Sequence, residues 1–198
     1  FLNYSNMHKG EKCFINAENM TAKTFFNLGD NENPGHGDHC ARLIMKRTAA
    51  FKEIMTLNDS NHSQKRVAEW LEDWRDHIQP KGPADQSGAL TDIGIIQAIS
   101  AVRNIIIKAK HTSEHSDSDH AVARTSMDRI EAEAEDQLPV GFEFTCIPYE
   151  GLGEHVFFLR MGIITSRENP TITLRIIKLE KHEEDIAKEL KQKLDAGL

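Results

Sequence analysis

Two imidazoles, a carboxylate and a thiol fall within five residues at His36-Gly-Asp38-His39-Cys40. Each of these side chains can ligate a divalent transition metal. A closed zinc site needs four donors, and no second pair of ligands elsewhere shows matching spacing, so the simpler reading is a loop whose histidines cover a strand end. His111, His115 and His120, interleaved with Glu114, Asp117 and Asp119, form a second set. They lie in a polar stretch without periodicity, which lacks the rigid support a preorganised site requires. Trp70 and Trp74, with Arg66 and Arg75 nearby, offer a different chemistry, since bases stack on exposed aromatics flanked by arginine. Trp74 falls on an apolar stripe and belongs to the core by spacing. Trp70 sits off its centre and, if exposed, is the interface anchor, with Arg66 beside it. The fourth feature is the acidic run Asp128–Asp136, in which Glu131, Glu133 and Glu135 would face a basic partner, although charge runs are usually solvated faces.

The elements that must position these residues are read from periodicity and turn chemistry. Lys12–Ala17 and Thr21–Leu28 are strand candidates around the turn Glu18-Asn19, and Cys40–Arg47 is a third. The stretch Asp30–Asp38 is a loop by composition. Thr48 can cap a helix Ala49–Leu57, with Phe51, Ile54 and Met55 on one face. Ser63 can cap Gln64–Ile78, where Val67, Leu71, Trp74 and Ile78 recur at helical spacing. Gln79–Pro83 then breaks the helix into a flexible connection, and Thr91 with Asp92 opens a third helix whose buried stripe is Ile95, Ile96, Ile99 and Val102. Lys110–His120 reads as an exposed loop and Val122–Ala134 as a solvated strand.

Three strand-like runs follow, Phe142–Ile147, His155–Thr165 and Thr171–Leu179, and then a charged helix His182–Leu194. Their connections are too short for parallel crossovers, so the strands must form an antiparallel meander. The run from His155 is apolar on both faces except at Arg160, which predicts an interior strand covered on both sides.

The 198 residues carry a formal net charge of −7 and 39% hydrophobic content. That length supports one α+β domain over 1–198. The acid excess disfavours non-specific nucleic-acid binding, although a local basic groove stays open. Cys13, Cys40 and Cys146 are odd in number, far apart and without CxxC spacing, as expected of reduced thiols in a cytoplasmic setting. No apolar run reaches bilayer length. The chain starts at Phe1 inside an apolar stretch, which reads as a fragment of a longer protein. Phosphate-binding, dinucleotide, nucleophile-elbow, zinc-protease and paired-cysteine motifs are all absent, so no catalytic residue is nominated.

The run Gly35-His-Gly-Asp-His39-Cys-Ala-Arg-Leu43, then Thr48–Ile54, Gln64–Asp73, and Leu138–Pro148 with Val156–Ile163, resembles the YfdQ-like proteins of bacteriophages and prophages. The resemblance spans nearly the whole chain and rests on packing motifs. Val67 and Trp70 stand where that family usually has Phe, and Phe51 where Trp is expected, exchanges that keep apolar volume. The resemblance implies an additional N-terminal segment in the full-length protein. Its setting implies work in DNA metabolism or against host defences, and it brings no biochemical activity.

The expectation is an α+β fold: a mostly antiparallel sheet with helices packed on one face and a C-terminal β-meander followed by a helix, capable of self-association. The expected function is non-enzymatic binding of a protein partner or nucleoprotein complex, with no cofactor. The alternative is a metal-dependent hydrolase of nucleotides or nucleic acid using a divalent metal at His36, Asp38, His39 and Cys40.

Overall fold

The structure, a computed structural model, describes residues 1–7, 11–107, 132–133, 137–164 and 170–197. In chain order these form α1 (Leu2–Ser5), β1 (Lys12–Asn16), β2 (Thr21–Phe25), β3 (Cys40–Ile44), α2 (Ala49–Leu57), β4 (Ser60–Ser63), α3 (Gln64–Asp73), β5 (Ile78–Ala84) and β6 (Leu90–Asp92). They continue with α4 (Ile95–Arg103), β7 (Ile106–Ile107), β8 (Ala132–Glu133), β9 (Gly141–Cys146), β10 (His155–Ile164), β11 (Thr171–Ile176) and α5 (Leu179–Gly197). The fold is α+β with antiparallel sheets, and its last three strands are sheet neighbours in sequence order ahead of the final helix. Two compact units emerge: one from Phe1–Met55, Cys146–Val156 and Lys178–Leu198, the other from Thr56–Thr145 and Phe157–Ile177.

The first unit contains the sheet β1-β2-β3. A tight turn joins β1 to β2, with Asn16 Oδ1 accepting from the Asn19 N–H at 3.0 Å and Met20 in a left-handed conformation at φ 50°. Thr48 Oγ1 accepts from the Phe51 N–H at 3.3 Å, capping α2 as expected. In α5 the buried residues are Ile186, Leu190 and Leu194, four apart, so one stripe faces the core.

The second unit contains the sheet β11-β10-β9-β5-β6. Phe142, Phe144, Ile172, Leu174 and Ile176 alternate into its core as their period of two requires. Ser63 caps α3 by accepting from the Arg66 N–H at 3.2 Å. The helix stops at Asp73, five residues short of the expected end, passes through a 3-10 turn at Arg75–His77, and gives way to β5. Ile78 is buried in a strand, so its position on the helical stripe was coincidental. The Pro-containing stretch is likewise strand and not a flexible connection. Pro80 needs no N–H to pair opposite Phe142, and Pro83 falls where the β5–β6 register is irregular.

Asp92 does not open the third helix. It ends β6 and pairs with Lys81 at 2.7 Å, while Glu143 takes the same ammonium at 3.0 Å. The buried stripe of α4 is Ala98, Ala101 and Val102, and Ile96 is 82% exposed. Small residues on this face let α4 approach α3 closely, and the Gln64 amide donates to the carbonyls of Val102 and Ile105 at the end of α4. In β10, Phe157 and Leu159 are buried, but Val156 and Ile164 stay exposed, so that strand is not covered on both faces throughout. Lys110–His120 lies outside the described residues, as does most of Val122–Ala134, of which Ala132–Glu133 pairs with β7.

Both tryptophans pack against Phe144 of β9, and Trp70, the interface anchor only if exposed, is the more deeply buried of the two. Trp70 is fully buried, its ring 5.6 Å from Phe142 edge-on and 6.0 Å from Phe144 in a stacked arrangement, whereas Trp74 is half-buried. Among the described residues the Trp70 indole N–H is the only buried side-chain polar atom without a hydrogen-bond partner. Trp70→Ala should therefore lower stability by about 3–5 kcal/mol, the usual cost of emptying a large aromatic site. Urea unfolding followed by circular dichroism reads this directly, and a loss below about 1 kcal/mol would contradict its placement in the core.

Candidate functional site

Each member of the expected metal quartet has an exposed side chain. Asn27 organises two of the four. Its Nδ2 donates to Asp38 Oδ1 at 2.6 Å, and its Oδ1 accepts from the His39 N–H at 3.0 Å. The Asn27 hydrogen bond holds the Asp38 carboxyl below its ordinary value. The His39 ring meets the Tyr4 hydroxyl at 3.2 Å and lies 4.9 Å from the Phe26 ring. The loop is fixed by close backbone approach, since a Cβ at Gly35 would sit 1.9 Å from the Asn27 carbonyl oxygen. Among the described residues no three His, Cys, Asp or Glu side chains converge to hold a metal. Glu131 and Glu135 lie outside the described residues, and Glu133 is described only as part of the β8 backbone. Arg66 is half-buried on α3, and the burial of Trp70 removes the anchor it was expected to flank.

A different set of residues surrounds a cleft of about 400 Å³ in the first unit. Its construction begins with a short exchange of backbone hydrogen bonds. The Thr48 N–H donates to the Pro148 carbonyl at 3.1 Å and the Glu150 N–H to the Lys46 carbonyl at 3.0 Å, an antiparallel bridge that sets Arg47 opposite Tyr149. Arg47 Nε then donates to the Tyr149 hydroxyl at 3.2 Å. Its guanidinium carbon lies 5.7 Å from the Phe51 ring centre and 5.9 Å from that of Tyr149, within cation–π range. Phe51, Tyr149, Met20 and Ile186 are all buried and make the apolar floor.

The rim is acidic. Glu180, Glu183 and Glu184 of α5 line the cleft together with Ala187, because positions i, i+3, i+4 and i+7 share one helix face. Glu18 joins them from the β1–β2 turn. Among the described residues none of these four carboxylates is ion-paired, and Arg47 is the only cation in the lining. Sequence reasoning missed this group because the helix was expected to start at His182, which left Glu180 off the element. The available signal was the spacing of the three glutamates.

Further along α5, Glu189 ties the loop after Tyr149 to the helix. Its Oε1 accepts from the Gly153 N–H at 2.7 Å and its Oε2 meets His155 Nε2 at 3.0 Å. Lys193 lies 3.4 Å from the same carboxylate and donates to the Gly151 carbonyl at 2.7 Å. Burial works to raise the Glu189 carboxyl, but the hydrogen bonds from His155, Gly153 and Lys193 outweigh it and hold the group below its ordinary value. Burial pushes the nearby Cys146 thiol up to about 12, with Glu154 adding to the effect, so it is an inert core group.

The chain belongs to a family of uncharacterized conserved proteins, DUF2303, whose model matches residues 1–197. No curated protein and no solved structure matches it. Among the described residues no helix is long and apolar enough to cross a membrane.

Glu189→Gln should cost about 1–3 kcal/mol at neutral pH, where a charged acceptor is lost from a part-buried network. Because folding lowers the carboxyl's pKa, its contribution is present above the unfolded value near 4.5 and disappears as pH falls through the folded value. Wild-type and variant unfolding midpoints should accordingly converge in acid, and a constant gap across that range would rule out the carboxylate as the cause.

Proposed function

We propose that this protein is a non-enzymatic binding protein whose acidic cleft in the first unit takes a basic segment of a protein partner. The observation carrying the reading is the pairing of four unpaired carboxylates with an aromatic floor and one guanidinium whose Nη groups carry no hydrogen bond among the described residues. Lysine and arginine combine a cation with an apolar stem, which suits a rim of glutamates above Phe51, Tyr149 and Ile186. The peptide backbone supplies carbonyl acceptors for Arg47, something a free metal ion or a simple polyamine lacks. Glu180 sits in the first turn of α5, where the helix dipole favours it. Glu183 and Glu184 lie beside Glu180 as like charges at i, i+3 and i+4, a repulsion that a cationic occupant relieves.

The resemblance to YfdQ-like proteins implies a phage or prophage setting, in which an accessory factor acting on a nucleoprotein complex in DNA metabolism or counter-defence would meet basic protein segments. The metal-dependent hydrolase is the weaker reading, since Asp38 and His39 are engaged by Asn27 and Tyr4.

A fluorescein-labelled lysine-rich peptide titrated with the protein tests the reading by anisotropy. Wild type should bind it and ignore a glutamate-rich peptide. The triple variant Glu180→Gln, Glu183→Gln, Glu184→Gln should bind about tenfold more weakly with an unchanged circular dichroism spectrum, a loss of about 1.4 kcal/mol spread over three charges. Equal binding by the triple variant, or no binding by wild type at low salt, would sink the proposal.

A further inference from the structure

The sheet β1-β2-β3 presents an outward face whose composition runs against that of the chain. Antiparallel register aligns Lys12, Phe25 and Cys40 in one row, Phe14, Lys23 and Arg42 in the next, and Asn16, Thr21 and Ile44 in the third. Paired residues point to the same side, so these nine positions share one face. The exposure pattern agrees. Lys12, Phe14, Asn16, Lys23, Cys40, Arg42 and Ile44 are exposed, Phe14 at 55% and Ile44 at 63%, while Ala22 and Thr24 of the opposite face are buried. In a chain of net charge −7 this face holds three cations and no carboxylate.

The aromatic and cationic groups are interleaved. The Phe14 and Phe25 rings meet edge to face at 5.8 Å between centres, and Lys23 Nζ lies 4.3 Å from the centre of the Phe25 ring. Lys12 Nζ donates to the Gly29 carbonyl at 2.7 Å, which steadies it, and it attracts the neighbouring Asp30 carboxylate without a direct ion pair among the described residues. Among the described residues neither Lys23 nor Arg42 has a carboxylate partner. The combination of exposed rings with cations that lack carboxylate partners leaves both groups available to a ligand that is at once aromatic and anionic.

We infer that this face binds single-stranded nucleic acid, with Phe14 and Phe25 as stacking platforms for bases and Lys12, Lys23 and Arg42 against the phosphates. Aromatics stack on any base, and interleaved cations track the backbone, so sequence-tolerant binding follows from this arrangement. A face about 10 Å across its three strands and about 13 Å along them offers room for only a few nucleotides. Duplex fits less well, since its bases are already stacked on each other and cannot reach the rings. This surface is independent of the acidic cleft, which repels phosphate.

The test uses a fluorescein-labelled dT15 oligonucleotide and the whole chain. Binding should weaken with salt at a slope of about −2 in log K against log salt, from three cations at about −0.7 each, and Lys23→Gln with Arg42→Gln should flatten it to about −0.7. Phe14→Ala should lose at least about fivefold in affinity with unchanged thermal unfolding, and Phe14→Trp should restore it. The Glu180→Gln, Glu183→Gln, Glu184→Gln variant should bind the oligonucleotide no more weakly than wild type. Absence of binding at low salt, or binding unaffected by both the Phe14→Ala and the paired cation variants, would overturn the inference. Either result leaves the cleft proposal to its own peptide test.

Discussion

The first unit depends on a few backbone hydrogen bonds between Lys46–Thr48 and Ile147–Glu150, groups about a hundred residues apart in sequence. Bringing such distant segments together carries a large loop-closure cost, although that cost grows only slowly with length. Two directed N–H···O=C bonds, the Thr48 hydroxyl on the Ile147 carbonyl at 2.5 Å and the Lys46–Glu150 ion pair at 2.7 Å are set against it. The ion pair is exposed and adds little by itself. What closes the joint is Tyr149, buried against Phe51 at 5.8 Å between ring centres, because burial of large aromatic surface outweighs every polar term there. Arg47 is oriented by that ring, so the single cation of the cleft is placed by the same contact that closes the unit.

Local rules explain which parts of this fold were legible in the sequence. Phe142, Phe144 and Cys146 alternate with polar neighbours and face the core, and Thr48 and Ser63 cap the helices they precede. Periodicity failed where two elements happen to share a phase. Trp74 and Ile78 continue the helical spacing of Val67 and Leu71, yet Ile78 is buried from a strand. Trp70 lies off the centre of that stripe, yet at three residues after Val67 and four before Trp74 it belongs to the same face, and Phe142 and Phe144 on β9 cover it. A stripe's edge is buried when the partner surface is broad enough.

The cleft was illegible for another reason. Arg47, Phe51, Tyr149 and the three glutamates of α5 come from segments that no local pattern links. Metal-type spacing at His36–Cys40 was locally conspicuous, but Asn27, about ten residues upstream, had already claimed Asp38 and the His39 amide. Hydrogen bonds made by one neighbouring amide side chain thus set the local conformation of a segment that composition alone describes only as a list of donors. Net charge is a coarse guide to any one surface. A value of −7 averages an acidic helix face with a basic sheet face, and association responds to the local field within about a Debye length, ~8 Å at physiological salt.

The segregation of charge across β1-β2-β3 follows from register. Side chains alternate with period two, so a slip of one residue would turn Lys23 inward and bring Ala22 and Thr24 to the surface. Burying an unpaired ammonium costs several kcal/mol, which makes the slipped sheet inaccessible once the inner face is packed. The turn makes the same choice from the other end. Met20 holds a left-handed backbone and is buried, its carbonyl accepts from the Met45 N–H at 3.0 Å, and the residue before it is anchored by Asn16. That turn also carries Glu18 to the rim of the cleft. One four-residue connection therefore sets which side chains of the sheet meet solvent and supplies an acid to the pocket, so a change in its length would disturb the basic face and the acidic cleft together.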